Sequence, residues 1–169
     1  MYHREAIEFI KDALIKNGET LSVAESVTSG HLQAAFSLAD GATKFFQGGI
    51  TAYNLDQKTR LLKVDPIHAI GCNCVSEKVA EQMALSVLGL FSSDWALAIT
   101  GYANPIPDAG ITDLFCFVSI AFRGDVVVTE KIRSENGDPM SVQVFYTNQV
   151  LEHFSRCLES RKRSAVAAN

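Results

Sequence analysis

LSVAESVTSG, residues 21–30, is a strand that breaks into a hydroxyl-rich turn. Leu21 to Ala24 have strand character, and Glu25 to Gly30 are polar or small. An amphipathic run starts at Leu32. A strand that turns into a helix this way puts side chains and free N–H groups at the carboxyl edge of a sheet, where open α/β folds bind ligands. The first N–H groups of such a helix lack intrahelical partners and attract anions. Glu25 and Ser26 are therefore expected at the rim. Thr28 or Ser29 is also expected to cap the following helix. Ser26 lies too early to be that cap.

Working outward, residues 3–16 carry Ile7, Ile10 and Leu14 on one helical face, and Asn17-Gly18 ends that helix. The second helix is predicted over 29–39. FFQGGITAY, 45–53, reads as a strand whose Gly48-Gly49 pair marks a bulge or a close approach. Asn54 with Gln57 has capping-box spacing for a helix over 55–62. Tyr53 and Lys58 then sit where a strand end and a first helical turn share the rim, although Lys58 also reads as a plain surface lysine. Residues 63–74 read as a loop with a turn at Asp65-Pro66. A strong helix is predicted over 77–90 with Ser76 as its cap. DWALAIT, 94–100, is apolar enough for a strand covered on both faces. The Pro- and Gly-containing stretch 101–113 is an irregular loop of the kind that covers a ligand. Strands over 115–122 and 126–132 form a hairpin about Arg123-Gly124-Asp125. Asp138-Pro139 starts a last helix to about 158, and 161–169 reads as a disordered tail.

This order predicts one domain over 1–160: a three-layer α/β/α fold with a mixed, mostly parallel sheet, since the hairpin forces an antiparallel pair. The chain has 169 residues, 47% hydrophobic and 20% charged, which suits a globular core. A net charge of −4 gives no reason to expect nucleic acid as a partner. No run is apolar and long enough to span a membrane, and the charged opening helix does not read as a signal peptide. Four cysteines without a framework pattern suggest free thiols in the cytoplasm, and free thiols at Cys72 and Cys74 are favoured over a metal site. The four histidines are scattered.

Four segments, AESVTSG (24–30), GGITAYNLDQKTRLLKV (48–64), VSEKVAEQMA (75–84) and ALAITG (96–101), stand in an order that resembles the CinA C-terminal domain family. The resemblance covers about residues 5–158. It implies hydrolysis of the carboxamide of nicotinamide mononucleotide to nicotinic acid mononucleotide and ammonia, without metal or organic cofactor. It also implies a small-molecule nucleotide or amide as partner, and a homo-oligomer. The family's nucleophile-type serine falls on Ser26, its acid on Glu25, and its tyrosine and lysine on Tyr53 and Lys58. Substrate contacts fall on Thr28, Ser29, Gly30, Thr100 and Gly101. Amide hydrolysis needs an activated nucleophile and a stabilised oxyanion. A lysine serves as the base if burial keeps it neutral, Tyr53 is placed to relay a proton, and N–H groups opening the 29–39 helix suit an oxyanion or phosphate.

The chain also departs from the family's pattern. Val27-Thr28-Ser29-Gly30 replaces cysteine-threonine-glycine-glycine, and Tyr102–Pro107 replaces a glycine-rich loop. Pro139 stands where the family has an arginine expected to meet phosphate. Arg60 and Arg133 are the candidates to compensate. Three readings follow: an amidase with an altered phosphate site, a binding or scaffold module that has lost the chemistry, and an amidase for a small amide without phosphate.

Overall fold

Strand β1 (Leu21–Glu25) is a fully buried inner strand of a five-stranded sheet. The computed structural model describes residues 1–135 and 137–167, the last four by backbone alone. Five strands, β1, β2 (Phe46–Thr51), β3 (Trp95–Gly101), β4 (Leu114–Phe122) and β5 (Asp125–Ser134), are ordered β2-β1-β3-β4-β5. β1 pairs in parallel with β2 and with β3, and β4 runs antiparallel to both β3 and β5. Four strands thus share one direction and β4 opposes them, the mixed sheet that the hairpin demanded. The hairpin turns on Arg123 and Gly124, both at positive φ (49° and 98°), the geometry that matches strand twist.

Strand alternation divides the core in two. Leu21, Val23, Trp95, Leu97, Ile99, Val118 and Ile120 point to one face. There they meet α1 (Arg4–Asn17), α2 (His31–Ser37) and α6 (Pro139–Ala167). Ala24, Ala96, Ala98 and Ala121 point to the other. There α3 (Leu55–Leu62), α4 (Pro66–Gly71) and α5 (Glu77–Phe91) cover them through Leu62, Ala69, Val79, Met83 and Val87. The fold is the expected three-layer α/β/α arrangement.

The glycine pair in β2 does both things its sequence suggested. The register slips between Leu21 and Ser22, which pair with Phe46 and Gly48, so Gln47 is the bulged residue. A Cβ on Gly49 would lie 2.4 Å from Val23 Cγ2 and 2.7 Å from the Val23 carbonyl oxygen. Only a glycine lets the two backbones pack this closely.

Three boundaries differ from expectation. The 63–74 stretch contains α4, started by Asp65, whose carboxylate accepts from the Ile67 and His68 N–H groups, with Pro66 in the first turn. Six residues with Ile67 and Ile70 exposed carry too little apolar periodicity to be read as a helix. α2 is shorter than predicted, because Gly30 at φ 102° occupies its N-cap. α6 runs past 158 to Ala167, so the predicted tail is helical over 161–167; no glycine or proline there stops it. Residues 168 and 169 lie outside the described ones.

Candidate active site

β1, β2 and β3 all end at one edge of the sheet, and the strand order reverses about β1. A cleft of about 480 Å³ opens at that edge, a size suited to a small molecule. Ser26 is the first residue beyond β1. Its N–H donates to the Ile99 carbonyl (3.1 Å), which extends the β1–β3 ladder by one step and fixes the serine at the cleft floor. Lys58 comes from α3. That helix starts as predicted, with Asn54 Oδ1 accepting from Gln57 N–H at 3.0 Å.

Lys58 and Ser26 meet. Lys58 Nζ donates to Ser26 Oγ at 2.8 Å, to the Ala52 carbonyl at 3.0 Å and to the Tyr53 carbonyl at 3.3 Å. The lysine is 2% exposed and the serine 6%, so Lys58 is not a surface lysine. Burial pulls the Lys58 pKa below its ordinary value, and the neighbouring Cys74 thiol acts weakly the other way. Among the described residues no carboxylate lines the cleft to hold the ammonium charged. An amine in this setting gives up its proton more readily than an exposed lysine.

Glu25 goes elsewhere. Alternation sends residues 21, 23 and 25 to the face covered by α2. The Glu25 carboxylate is fully buried there and accepts from Thr28 Oγ1 (2.6 Å) and from the N–H groups of Gly30 (3.1 Å), Leu32 (3.0 Å) and Gln33 (2.9 Å). Two expectations change. Neither Thr28 nor Ser29 caps α2; Glu25 does, from outside the helix. The N–H groups expected to hold an oxyanion or phosphate are already taken by this carboxylate.

Thr28, Ser29 and Gly30 are accordingly turn builders. Thr28 gives its hydroxyl to Glu25, Ser29 at φ 49° donates to the Ser26 carbonyl through both N–H (3.2 Å) and Oγ (3.4 Å), and none of the three lines the cleft. Of the predicted site residues, Ser26, Lys58, Tyr53, Thr100 and Gly101 do line it. Tyr53 stands at the mouth, 72% exposed. Thr100 Oγ1 donates to the Cys74 carbonyl (2.8 Å) and ties β3 to the chain before α5. Gly101 serves packing, since a Cβ there would lie 2.5 Å from the Phe115 carbonyl oxygen.

The loop over 101–113 contributes Tyr102, Asn104 and Ile106 to the wall, as a ligand-covering loop would. Other wall residues carried no sequence signal. Asn73 and Cys74, both at positive φ, come from the segment after α4, and Gln143 comes from α6. One turn beyond Gln143, Tyr146 Oη donates to the Tyr102 carbonyl (3.2 Å), which holds α6 against the loop. Val27 also lines the cleft, and among the described residues its backbone N–H has no acceptor.

Neither candidate arginine reaches the cleft. Arg133 pairs with Asp113 at 3.4 Å in an exposed position, and Arg60 is exposed on α3. Among the described residues no three His, Cys, Asp or Glu side chains gather to hold a metal ion, and no helix is long and apolar enough to cross a membrane.

The sequence profile of the CinA C-terminal domain matches residues 3–158. A CinA-like protein of Prochlorococcus marinus is 48% identical over 99 residues, 58% of this chain and 23% of that protein. One from Chlorobium chlorochromatii is 34% identical over 160 residues, 93% of this chain and 37% of that protein. The chain therefore spans well under half the length of these curated relatives. The crystal structure of competence damage-inducible protein A from Klebsiella pneumoniae superposes with a TM-score of 0.88 at 27% identity, covering 94% of this chain and 98% of that one.

Proposed function

The chain belongs to the CinA C-terminal domain family, and on that premise we propose that it hydrolyses the carboxamide of a small molecule, with Ser26 as nucleophile and Lys58 as base. The observation that carries this reading is the 2.8 Å contact between Lys58 Nζ and Ser26 Oγ at the floor of the cleft. The resemblance names nicotinamide mononucleotide as the first amide to test.

Neutral Lys58 takes the Ser26 hydroxyl proton as Oγ attacks the amide carbon. The carbonyl oxygen becomes an oxyanion, and the unused Val27 N–H, on the residue after the nucleophile, is the donor best placed by chain position to hold it. Lys58 returns the proton to the departing nitrogen, ammonia leaves, and an ester remains on Ser26. Water, deprotonated by Lys58, cleaves that ester to the carboxylate and restores the serine. Tyr53 at the mouth supplies a hydroxyl to the bound molecule rather than to Lys58, to which it offers only its carbonyl. Glu25 positions: it fixes the turn that presents Ser26. The four cysteines are free, which supports a reducing, cytoplasmic setting. A homo-oligomer belongs to the same proposal and is read by light scattering.

The test is ammonia release from nicotinamide mononucleotide and related carboxamides. Release that disappears in Ser26→Ala and Lys58→Met supports the reading. Ligand binding without release would instead favour a binding or scaffold domain, the reading supported by a cleft that, among the described residues, offers no cation besides Lys58.

A further inference from the structure

Lys58 Nζ contacts Ser26 Oγ at 2.8 Å and the carbonyls of Ala52 and Tyr53 at 3.0 and 3.3 Å. A carbonyl oxygen only accepts, so each carbonyl holds an N–H. A neutral amine has two hydrogens and one lone pair. Both hydrogens are then taken by the carbonyls, and the lone pair is turned to Ser26 Oγ, whose O–H becomes the donor. The two carbonyls lie between β2 and the start of α3, and Ala52 is itself held, its N–H donating to the Glu25 carbonyl at 2.8 Å. They do not change as the serine reacts. The amine therefore keeps its aim when Ser26 Oγ is tied up in an ester. A nucleophile that reaches the ester from the cleft meets a base already pointed at it.

Resting on the reading of Ser26 as nucleophile and Lys58 as base, we infer that the chain is also an acyltransferase. It passes the Ser26-bound acyl group to small primary amines that are uncharged at neutral pH, the hydroxylamine and hydrazine class. Ammonia is the leaving group of the first half-reaction, so by microscopic reversibility the ester carbon admits an attacking amine of that size. Ammonia itself is mostly ammonium near neutral pH and then has no lone pair to attack with. Hydroxylamine is one atom longer and stays uncharged. The cleft of about 480 Å³ has room for it beside a bound acyl group. Asn73, Asn104 and Tyr53 on the wall offer neutral hydrogen-bond partners to such an amine.

The amine nitrogen bonds to the ester carbon and Lys58 takes one of its protons. The C–Oγ bond breaks, and Lys58 hands that proton to Ser26 Oγ. A hydroxamate leaves in place of the carboxylate, and the serine is restored. No oxidant or reductant enters.

The test incubates the full chain with nicotinamide mononucleotide and hydroxylamine near neutral pH. Ammonia is read enzymatically, and carboxylate and hydroxamate by mass spectrometry. Hydroxamate is expected to increase with hydroxylamine and to replace carboxylate one for one, with ammonia release undiminished. Its yield should exceed that of Ser26→Ala protein, shown folded by its thermal melt, by about tenfold or more. Ammonia and carboxylate released with hydroxamate at background overturns the inference and leaves amide hydrolysis standing. Equal hydroxamate from wild type and Ser26→Ala overturns it as well. Release of neither ammonia nor hydroxamate overturns both the inference and the hydrolytic reading.

Discussion

Lys58 Nζ lies 2.8 Å from Ser26 Oγ across 32 residues of chain. The contact exists because two parallel strands end side by side: Ser26 follows β1, and β2 delivers Tyr53 and Asn54 to the start of α3. If it is the catalytic contact, Ser26→Ala should lower kcat by on the order of 10³-fold or more, and Lys58→Ala by about 10²–10⁴-fold. Lys58→Arg should be as inactive as Lys58→Ala, since a guanidinium stays protonated. Activity retained in Lys58→Arg would remove the lysine as base.

The depressed Lys58 pKa sets a pH dependence. Activity requires the neutral amine, so kcat/KM should rise with pH, with its half-rise below the ordinary lysine value of about 10.4. Stability follows the same sign. Between the folded pKa and that of the unfolded chain, the unfolded state binds more protons, so stability should increase as pH rises through the window. Urea titrations of wild type and Lys58→Met across that range check it: the lysine-dependent slope should vanish in the variant.

Glu25→Gln exchanges an acceptor-only carboxylate for a group with an NH₂ facing N–H donors. Loss of charge-assisted bonds to a helix start should cost about 2–3 kcal/mol in chemical denaturation. Turnover should fall through a misplaced Ser26, with KM changed less than kcat. Unchanged stability would show that the four contacts to Glu25 are not what holds the turn.

Gly49→Ala inserts a methyl 2.4 Å from Val23 Cγ2. Overpacking at a strand pair should destabilise by about 3 kcal/mol. Gly110→Ala has open space around it and its cost should come from its φ of 69° alone. A thermal melt of both separates crowding from backbone strain.

Cys74 borders the cleft beside Lys58, and burial raises its thiol pKa. Alkylation should be slow at neutral pH, quicken as pH rises, and block turnover, with bound substrate protecting it. Mass spectrometry locates the adduct; full activity of protein modified at Cys74 would contradict its place on the wall.

Much of this was legible in the chain because local signals agreed. Leu21–Gly30 reads as strand, turn and helix start, Asn54 and Gln57 announce α3, and the apolar run at 94–100 announces a central strand. Serine and lysine then meet because β1 and β2 pair in parallel, which the element order already implied. What stayed hidden depends on direction in space. Glu25 is one residue from Ser26, yet strand alternation sends it to the opposite face, and only the placement of α2 reveals its four donors. Gln143 reaches the cleft from α6, far along the chain, with no local mark. α4 is too short to show a period, though Asp65-Pro66 starts it with the same cap-then-proline signal as Asp138-Pro139.

The methyl groups of Ala24, Ala96, Ala98 and Ala121 set how near α5 can lie to the sheet. Cys74 and Val75, on the cleft wall, lead directly into that helix, and Thr100 is bonded to the same segment. The aperture of the site is thus gauged by residues that never touch a ligand. Adding a single carbon beneath α5 is a lever on which molecules enter, so drift in substrate preference can originate in the alanine floor while Ser26 and Lys58 stay untouched.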